Sequence, residues 1–378
     1  MKKYYLLTPG PTPVPPRVAA RTAEPIIHHR TKEFGELFDR VQEGMKYVMR
    51  TKNDVLMIMG SGTAAMEAAI ANTCSSGDKV LVGSIGVFGD RFVDICEAYG
   101  LSPLVIREEW GTPLSPQKVE DALKKNPDIK IVTAQHTETS TTTVNDLKTI
   151  GAIVAKTHAL FVVDSVSGLA AQELHMDDWK IDVLVSGSQK GLMCPPGLSM
   201  AAISEKGWKH VETAKLPRFY SDFRRIRKSI ATHETPWTPA VSLFQGLDEA
   251  IKMIKEETLE GVWKRHQTLA KAVRAGFQAM GLKALSTYPC DVVTGAWLPD
   301  SVDGKAVIRK MLTDYGVSIA GGQKHLKGKI VRLAHMGYMD AFDMLIGLNA
   351  IENALSELGY KVPQAGQAVE AAKAALVS

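Results

Sequence analysis

The chain has 378 residues, 45% of them hydrophobic and 23% charged, with a formal net charge of +4. That is the composition of an ordinary globular protein, long enough for two domains rather than one small core. The charge is too weak and too evenly spread to point to nucleic acid, and the densest basic cluster, Arg218 to Lys228, reads as a surface or interface segment. Four cysteines without CxxC spacing suggest neither a zinc site nor a disulfide framework. No apolar run approaches membrane-spanning length, and four apolar residues before Thr8 are too few for a signal peptide, so the expectation is a cytoplasmic protein away from membranes.

In chain order, residues 8 to 16 hold five prolines in nine positions and predict an extended arm. His28-His29-Arg30 precedes a helical pattern with apolar residues at Phe34, Leu37, Phe38, Val41, Met45 and Val48. The two histidines have no third ligand at suitable spacing, so no metal is expected there. Val55 to Met59 reads as a buried strand that runs through Gly60-Ser61-Gly62-Thr63 into a helix from Ala64 to Ala71. Glycines at a helix start admit an anion to the backbone amides, and the spacing also spells a dinucleotide fingerprint. That fingerprint needs an acid at the end of the next strand, where Lys79 to Val82 ends in Gly83-Ser84. A cofactor with one phosphate fits better; the alternative is a tight turn with no ligand.

Further strands are predicted at Ile129 to Thr133, at Leu160 to Val163 ending in Asp164, and at Val183 to Val185 leading to Lys190. In a parallel sheet these ends converge on one edge, where ligands bind. A lysine there can bond covalently to a carbonyl, and a carboxylate there can hold a protonated pyridine nitrogen. Either residue alone reads as surface or cap; the pair in this order points to chemistry. A helical pattern from Val241 to Met280 carries the chain out of this region near residue 255. Beyond it, short strands (Val292 to Trp297, Lys329 to Leu333) and helices (Lys305 to Tyr315, Ala341 to Leu358) predict a small α+β unit, and the tail from Val362 predicts a marginal helix. Arg332, isolated between apolar neighbours, needs an anionic partner, either a ligand or an internal carboxylate.

Asp164-Ser165-Val166 followed by Ser186-Gly187-Ser188-Gln189-Lys190 resembles the class V aminotransferases, fold type I of the pyridoxal 5'-phosphate (PLP) enzymes. Within them it is most similar to the serine–pyruvate/alanine–glyoxylate aminotransferase group, and the likeness runs from Thr8-Pro9-Gly10-Pro11 to Arg332. The resemblance implies an α/β fold: a mostly parallel sheet in a large PLP-binding domain (21–255), preceded by an arm (1–20) and followed by a smaller α+β C-terminal domain (256–378). It implies a homodimer with shared active sites, the arm lying across the partner near the substrate entrance. Lys190 would carry the cofactor and act on protons, with Asp164 at the ring nitrogen. Ser61, Gly62 and Thr63 would cradle the phosphate, Val166 and Gln189 would add contacts, and Phe88 would stack on the ring without the indole N–H that several relatives supply there. Ser140, in Gln135-His136-Thr137-Glu138-Thr139-Ser140-Thr141, would reach the ring hydroxyl; Thr142 stands where relatives often have glycine, which implies a different local backbone. Thr235 and Thr238 would serve the partner's phosphate, Thr235 replacing a tyrosine of some relatives.

Arg332 would hold the substrate α-carboxylate, and a second clamp is not evident, Arg30, Arg91 and Lys324 being residual choices. The expected reaction is transamination of alanine or serine with glyoxylate or pyruvate. Alternatives are a same-fold aminotransferase for aspartate or phosphoserine, a lyase of the cysteine desulfurase type, disfavoured because the loop Gly321 to His325 lacks cysteine, and a non-enzymatic subunit of a complex, disfavoured by Lys190 and Asp164.

Overall fold

A computed structural model describes residues 3–377. Seven strands form the main sheet: β1 (Val55–Met59), β2 (Lys79–Ser84), β3 (Ser102–Arg107), β4 (Ile129–Gln135), β5 (Leu160–Asp164), β6 (Val183–Gly187) and β7 (Leu198–Ile203). Their order is β1-β7-β6-β5-β4-β2-β3. The pairs β3–β2, β2–β4, β4–β5 and β5–β6 are parallel, and β7 runs antiparallel to both neighbours. These strands are mostly near-continuous apolar runs because helices cover both faces. Since β7 reverses between β6 and β1, the C-terminal ends of β1, β4, β5 and β6 share one edge.

The helix Lys32–Met49 starts at Thr31, whose hydroxyl accepts from the Phe34 N–H, and ends at Arg50 in the left-handed region. Phe34, Leu37, Phe38, Val41, Met45 and Val48, the predicted stripe, are all buried. Phe34, Phe38 and Phe244 pack as a ring cluster with centroids 5.6 to 6.3 Å apart; burying each such side chain contributes about 1.5–3 kcal/mol. The predicted cradle helix is longer than expected, Gly62–Thr73.

A second sheet has four strands: β8 (Lys283–Ala284), β9 (Val293–Trp297), β10 (Ala320–Gly321) and β11 (Ile330–Ala334), in the order β8-β9-β11-β10 and antiparallel throughout. The helices Gly304–Thr313 and Ala341–Glu357 pack against it. The long helical pattern divides at Thr258 into Val241–Glu257 and Leu259–Ala279. Leu259, Val262 and Trp263 join the core of the large sheet, while Leu269, Val273 and Phe277 join that of the small one. The tail helix Gln367–Val377 buries Ala368 and Ala372, small residues that allow close approach to the Leu259–Ala279 helix. At the other terminus, Leu7 packs into the small core and Tyr5–Leu6 pairs with Val317–Ser318. The expected extended arm is only partly found: residues 8–11 bend, 12–15 are irregular, and Pro16 already starts the helix Pro16–Thr22, a position where proline's missing N–H costs nothing. Among the described residues, no helix is long and apolar enough to cross a membrane, and no group of three acidic, histidine or cysteine side chains is placed to hold a metal ion.

Candidate active site

The shared strand edge carries a cavity of about 230 Å³. Its walls include Ser61, Gly62, Thr63, Phe88, Asp164, Val166, Gln189 and Lys190, eight of the residues singled out by sequence. Asp164 ends β5 opposite Val185 of β6, so the acid and the loop bearing Lys190 arise from adjacent parallel strands. That loop is pinned by Cys194 N–H to Ser188 O (3.0 Å), Ser188 Oγ to Pro195 O (2.6 Å) and Met193 N–H to Lys190 O (3.0 Å). The N-terminal arm holds it from above: Thr12 Oγ1 donates to the Lys190 carbonyl (3.0 Å), and Lys190 Nζ donates to the Pro9 carbonyl. Gly10 and Pro11 therefore line the cavity of their own protomer.

Burial pulls the Lys190 amine down to about 8; Asp164 opposes this, and the Arg332 and Arg91 cations reinforce it. Burial pushes the Asp164 carboxyl up to about 6, against the Val166 N–H that donates to Oδ1 (2.8 Å) and the charges of Arg91 and Lys190. Behind them, His136 Nδ1 meets Ser165 Oγ at 2.9 Å, and its complete burial keeps the ring neutral, near 3.

Ser140 is buried beside the cavity but is engaged internally. Its hydroxyl accepts from the Val87 N–H (3.0 Å) and donates to Glu138 Oε1 (2.5 Å). Glu138 also accepts from the N–H groups of Ser140 (3.1 Å), Phe88 (3.0 Å) and Gly89 (3.1 Å). Burial pushes its carboxyl up to about 7. Yet all four partners are donors, three of them amides unable to accept a proton, so this geometry belongs to the carboxylate. Glu138 thus fixes the start of the helix Val87–Ala98, and with it Phe88. Glu138 has no role assigned from sequence, although an acid amid hydroxyls just past the end of a buried strand is the signal that marks it. Thr137, also unassigned, lines the cavity with its hydroxyl unpartnered.

Thr142 adopts φ 57°, the left-handed conformation that glycine takes freely and a β-branched residue rarely does. Arg332 is buried and forms no internal salt bridge among the described residues. Its Nε donates to Gly321 O (2.9 Å) and Nη1 to Thr139 O (2.6 Å), tying the small sheet to the segment that follows β4, and Arg332 itself is not part of the cavity's lining. Burial pulls its pKa down to about 10. Thr235 and Thr238 do not line this cavity: Thr235 Oγ1 donates to Trp237 O (2.7 Å), and Thr238 is exposed. Of the residual cations, Arg30 pairs with Glu234 and Lys324 is exposed; Arg91 alone reaches the cavity.

Residues 4–339 match the aminotransferase class-V family. The chain belongs to that family. Three curated relatives span nearly the whole of this class V aminotransferase. It is 41% identical to the soluble hydrogenase small subunit of Synechococcus sp. (strain PCC 6716), over 99% of this chain and 98% of that one. It is 35% identical to the L-aspartate–glyoxylate aminotransferase of Paracoccus denitrificans (97% and 95% covered) and 35% identical to the serine–glyoxylate aminotransferase of Methylorubrum extorquens (98% and 96%). The crystal structure of ureidoglycine–glyoxylate aminotransferase from Bacillus subtilis superposes with a TM-score of 0.94, at 30% identity, covering 100% of this chain and 99% of that one.

The class V aminotransferase is a PLP-dependent transaminase with the fold of type I, and its cavity fits that cofactor. Ser61 precedes the Gly62–Thr73 helix without capping it through its side chain, which leaves the first amides for an anion. Gln189 Oε1 and Thr137 Oγ1 are buried at the wall with no partner of their own. A methyl group on Gly10 would overlap Lys190 Nζ, so the space beside the amine is open only because that residue is glycine.

Proposed function

We propose that the protein transfers the amino group of a small uncharged amino acid, alanine or serine, to a 2-oxo acid such as glyoxylate or pyruvate. The observation that carries this reading is Arg332: one buried guanidinium outside the cavity's lining, bonded to two carbonyls and no carboxylate, and near enough for its charge to help depress the Lys190 amine. A substrate α-carboxylate is the partner that such a cation lacks. The serine–glyoxylate relative supports the donor class, and glyoxylate recurs in the names of two of the relatives. An aspartate donor is the second reading, favoured by the aspartate–glyoxylate relative and by Arg91 at the cavity. A dicarboxylate needs a second cation, because burying an unpaired charge costs several kcal/mol. The test is kcat/KM for alanine, serine, aspartate and phosphoserine with glyoxylate or pyruvate; a tenfold preference for a dicarboxylic or phosphorylated donor overturns the reading.

The cofactor, when bound, supplies an electron sink for the negative charge that develops at the donor Cα. Ser61, Gly62, Thr63 and Gln189 would hold its phosphate, Phe88 and Val166 its two ring faces and Asp164 its ring nitrogen; Ser140, whose hydroxyl hydrogen is committed to Glu138, would meet the ring hydroxyl only as an acceptor. Lys190 Nζ, neutral above about 8, takes the proton from the donor Cα. Arg332 holds the donor by its α-carboxylate. The arm residues Pro9 to Pro11 exclude water on that side.

The cysteine desulfurase alternative needs a reactive thiol, whereas all four cysteines are buried with their thiols pushed up by burial. The division into an arm (1–20), a large domain (21–255) and a small domain (256–378) is supported by the separate cores of the two sheets. The homodimer with shared sites is supported by Thr235 and Thr238 standing outside their own cavity, on a segment beside the exposed Phe219 and Tyr220. Mixing inactive Lys190→Ala and Thr238 variants should restore activity; an active monomer overturns it. A cytoplasmic location belongs to the same reading and is checked by cell fractionation.

A further inference from the structure

We propose that Arg91 closes the phosphate end of the cofactor cavity, fixing the Thr63 hydroxyl as a donor and supplying the cation that the cradle lacks. Arg91 lies three residues after Phe88 on the helix Val87–Ala98, so both project from one face over the cavity. Its Nη1 donates to Thr63 Oγ1 at 3.0 Å, and its guanidinium packs over the Phe88 ring, 4.7 Å from the centroid. Among the described residues it pairs with no carboxylate; the acid beside it, Asp90, pairs with Arg107.

A threonine hydroxyl has one hydrogen. With Oγ1 accepting from a guanidinium, that hydrogen turns away from Arg91 and is free to meet an acceptor in the cavity. The cradle residues Ser61, Gly62, Thr63 and Gln189 are all neutral, whereas a phosphate monoester carries a charge between −1 and −2 at neutral pH. Apart from Lys190, Arg91 is the one cation among the described residues that line the cavity, and it is bonded to the cradle itself. Arginine suits the place because one planar group can lie on the Phe88 ring while its edge donates to Thr63. This assignment also removes Arg91 from the candidates for a second substrate clamp.

The inference rests on the placement of the phosphate at Ser61 to Thr63, and its test separates the two. Apoenzyme is titrated with PLP and with pyridoxal, which lacks the phosphate, for wild type, Arg91→Met, Arg91→Lys, Thr63→Val and the double variant Thr63→Val/Arg91→Met. Arg91→Met is expected to weaken PLP at least about tenfold, the scale of one charge-assisted hydrogen bond, and to change pyridoxal binding less than twofold. The double variant should be no weaker than the weaker single one, because the two groups act as a unit. Arg91→Lys, which keeps the charge and loses the fork, should fall between wild type and Arg91→Met, and an unchanged PLP affinity there overturns the proposal even if Arg91→Met fails to fold. Equal losses for PLP and pyridoxal in Arg91→Met would reduce Arg91 to a support for Phe88. An unchanged PLP affinity with a selective loss of aspartate turnover would make it a substrate clamp instead. If wild type itself does not distinguish PLP from pyridoxal, the phosphate placement is what fails.

Discussion

Lys190 Nζ donates to the carbonyl oxygen of Pro9, a residue 181 positions earlier in the chain. The arm therefore touches the reactive amine directly, and Gly10, at φ 133°, is the residue that lets it approach. Gly10→Ala is expected to strain that backbone and push a methyl group into the space of the amine. Uptake of PLP by apoenzyme should fall at least about tenfold, a loss of roughly 1.4 kcal/mol, and the strained backbone should lower the melting temperature by a few degrees. Unchanged uptake, followed by absorbance, would show that the arm is only a cover.

The amine itself titrates early. With Lys190 pulled down to about 8 by burial, the neutral nucleophilic form appears well below the ordinary lysine range. The rate of PLP capture should rise with pH through a midpoint near 8 and level off above it. Lys190→Ala should abolish both capture and turnover while leaving the fold intact. Hydride reduction followed by peptide mapping checks the attachment point, and label on another lysine would contradict it.

Asp164 carries a stability cost that function requires. Its folded pKa, about 6, lies above the ordinary value of 3.8 because it is buried. A carboxyl shifted in that direction favours the fold below the lower value, and the contribution is lost as pH rises through the higher one. At pH 8 the cost is about 3 kcal/mol, from a shift of 6 − 3.8 at roughly 1.4 kcal/mol per unit. Apoenzyme of Asp164→Asn should therefore melt several degrees higher than wild type at pH 8 and show no gain near pH 3.5, while its transaminase activity falls at least about a hundredfold. Calorimetry at the two pH values decides it; a variant that melts lower at pH 8 refutes the sign.

Arg332 spends two of its donors on the Gly321 and Thr139 carbonyls, which fix the guanidinium plane before any substrate arrives. Arg332→Lys keeps a charge and loses that fork. KM for every amino donor should rise about tenfold or more, with kcat less affected, because the clamp acts on ground state and transition state alike. A loss confined to kcat would place Arg332 elsewhere in the reaction.

The helix Lys32–Met49, the strands β1, β2, β4, β5 and β6 and the positions of Asp164 at the end of one strand and Lys190 just past another were legible in the sequence, because hydrophobic periodicity and local turn residues encode them directly. Strands β3 and β7 were not. The order Gly-Ser-Gly-Thr before a helix likewise carried its own meaning, since helix amides need no distant partner to attract an anion. What only the tertiary structure decided are contacts made through the backbone across long separations. Pro9 to Lys190, Arg332 to Thr139 and Glu138 to the Phe88 and Gly89 amides all use a carbonyl or an N–H, groups that nearly every residue carries and no sequence pattern marks. The reversed direction of β7 is of the same kind, because an apolar run reads alike in either sense. So is the left-handed Thr142, held where glycine would be easier. Sequence determined which residues could do chemistry; the order of strands in the sheet determined which of them meet.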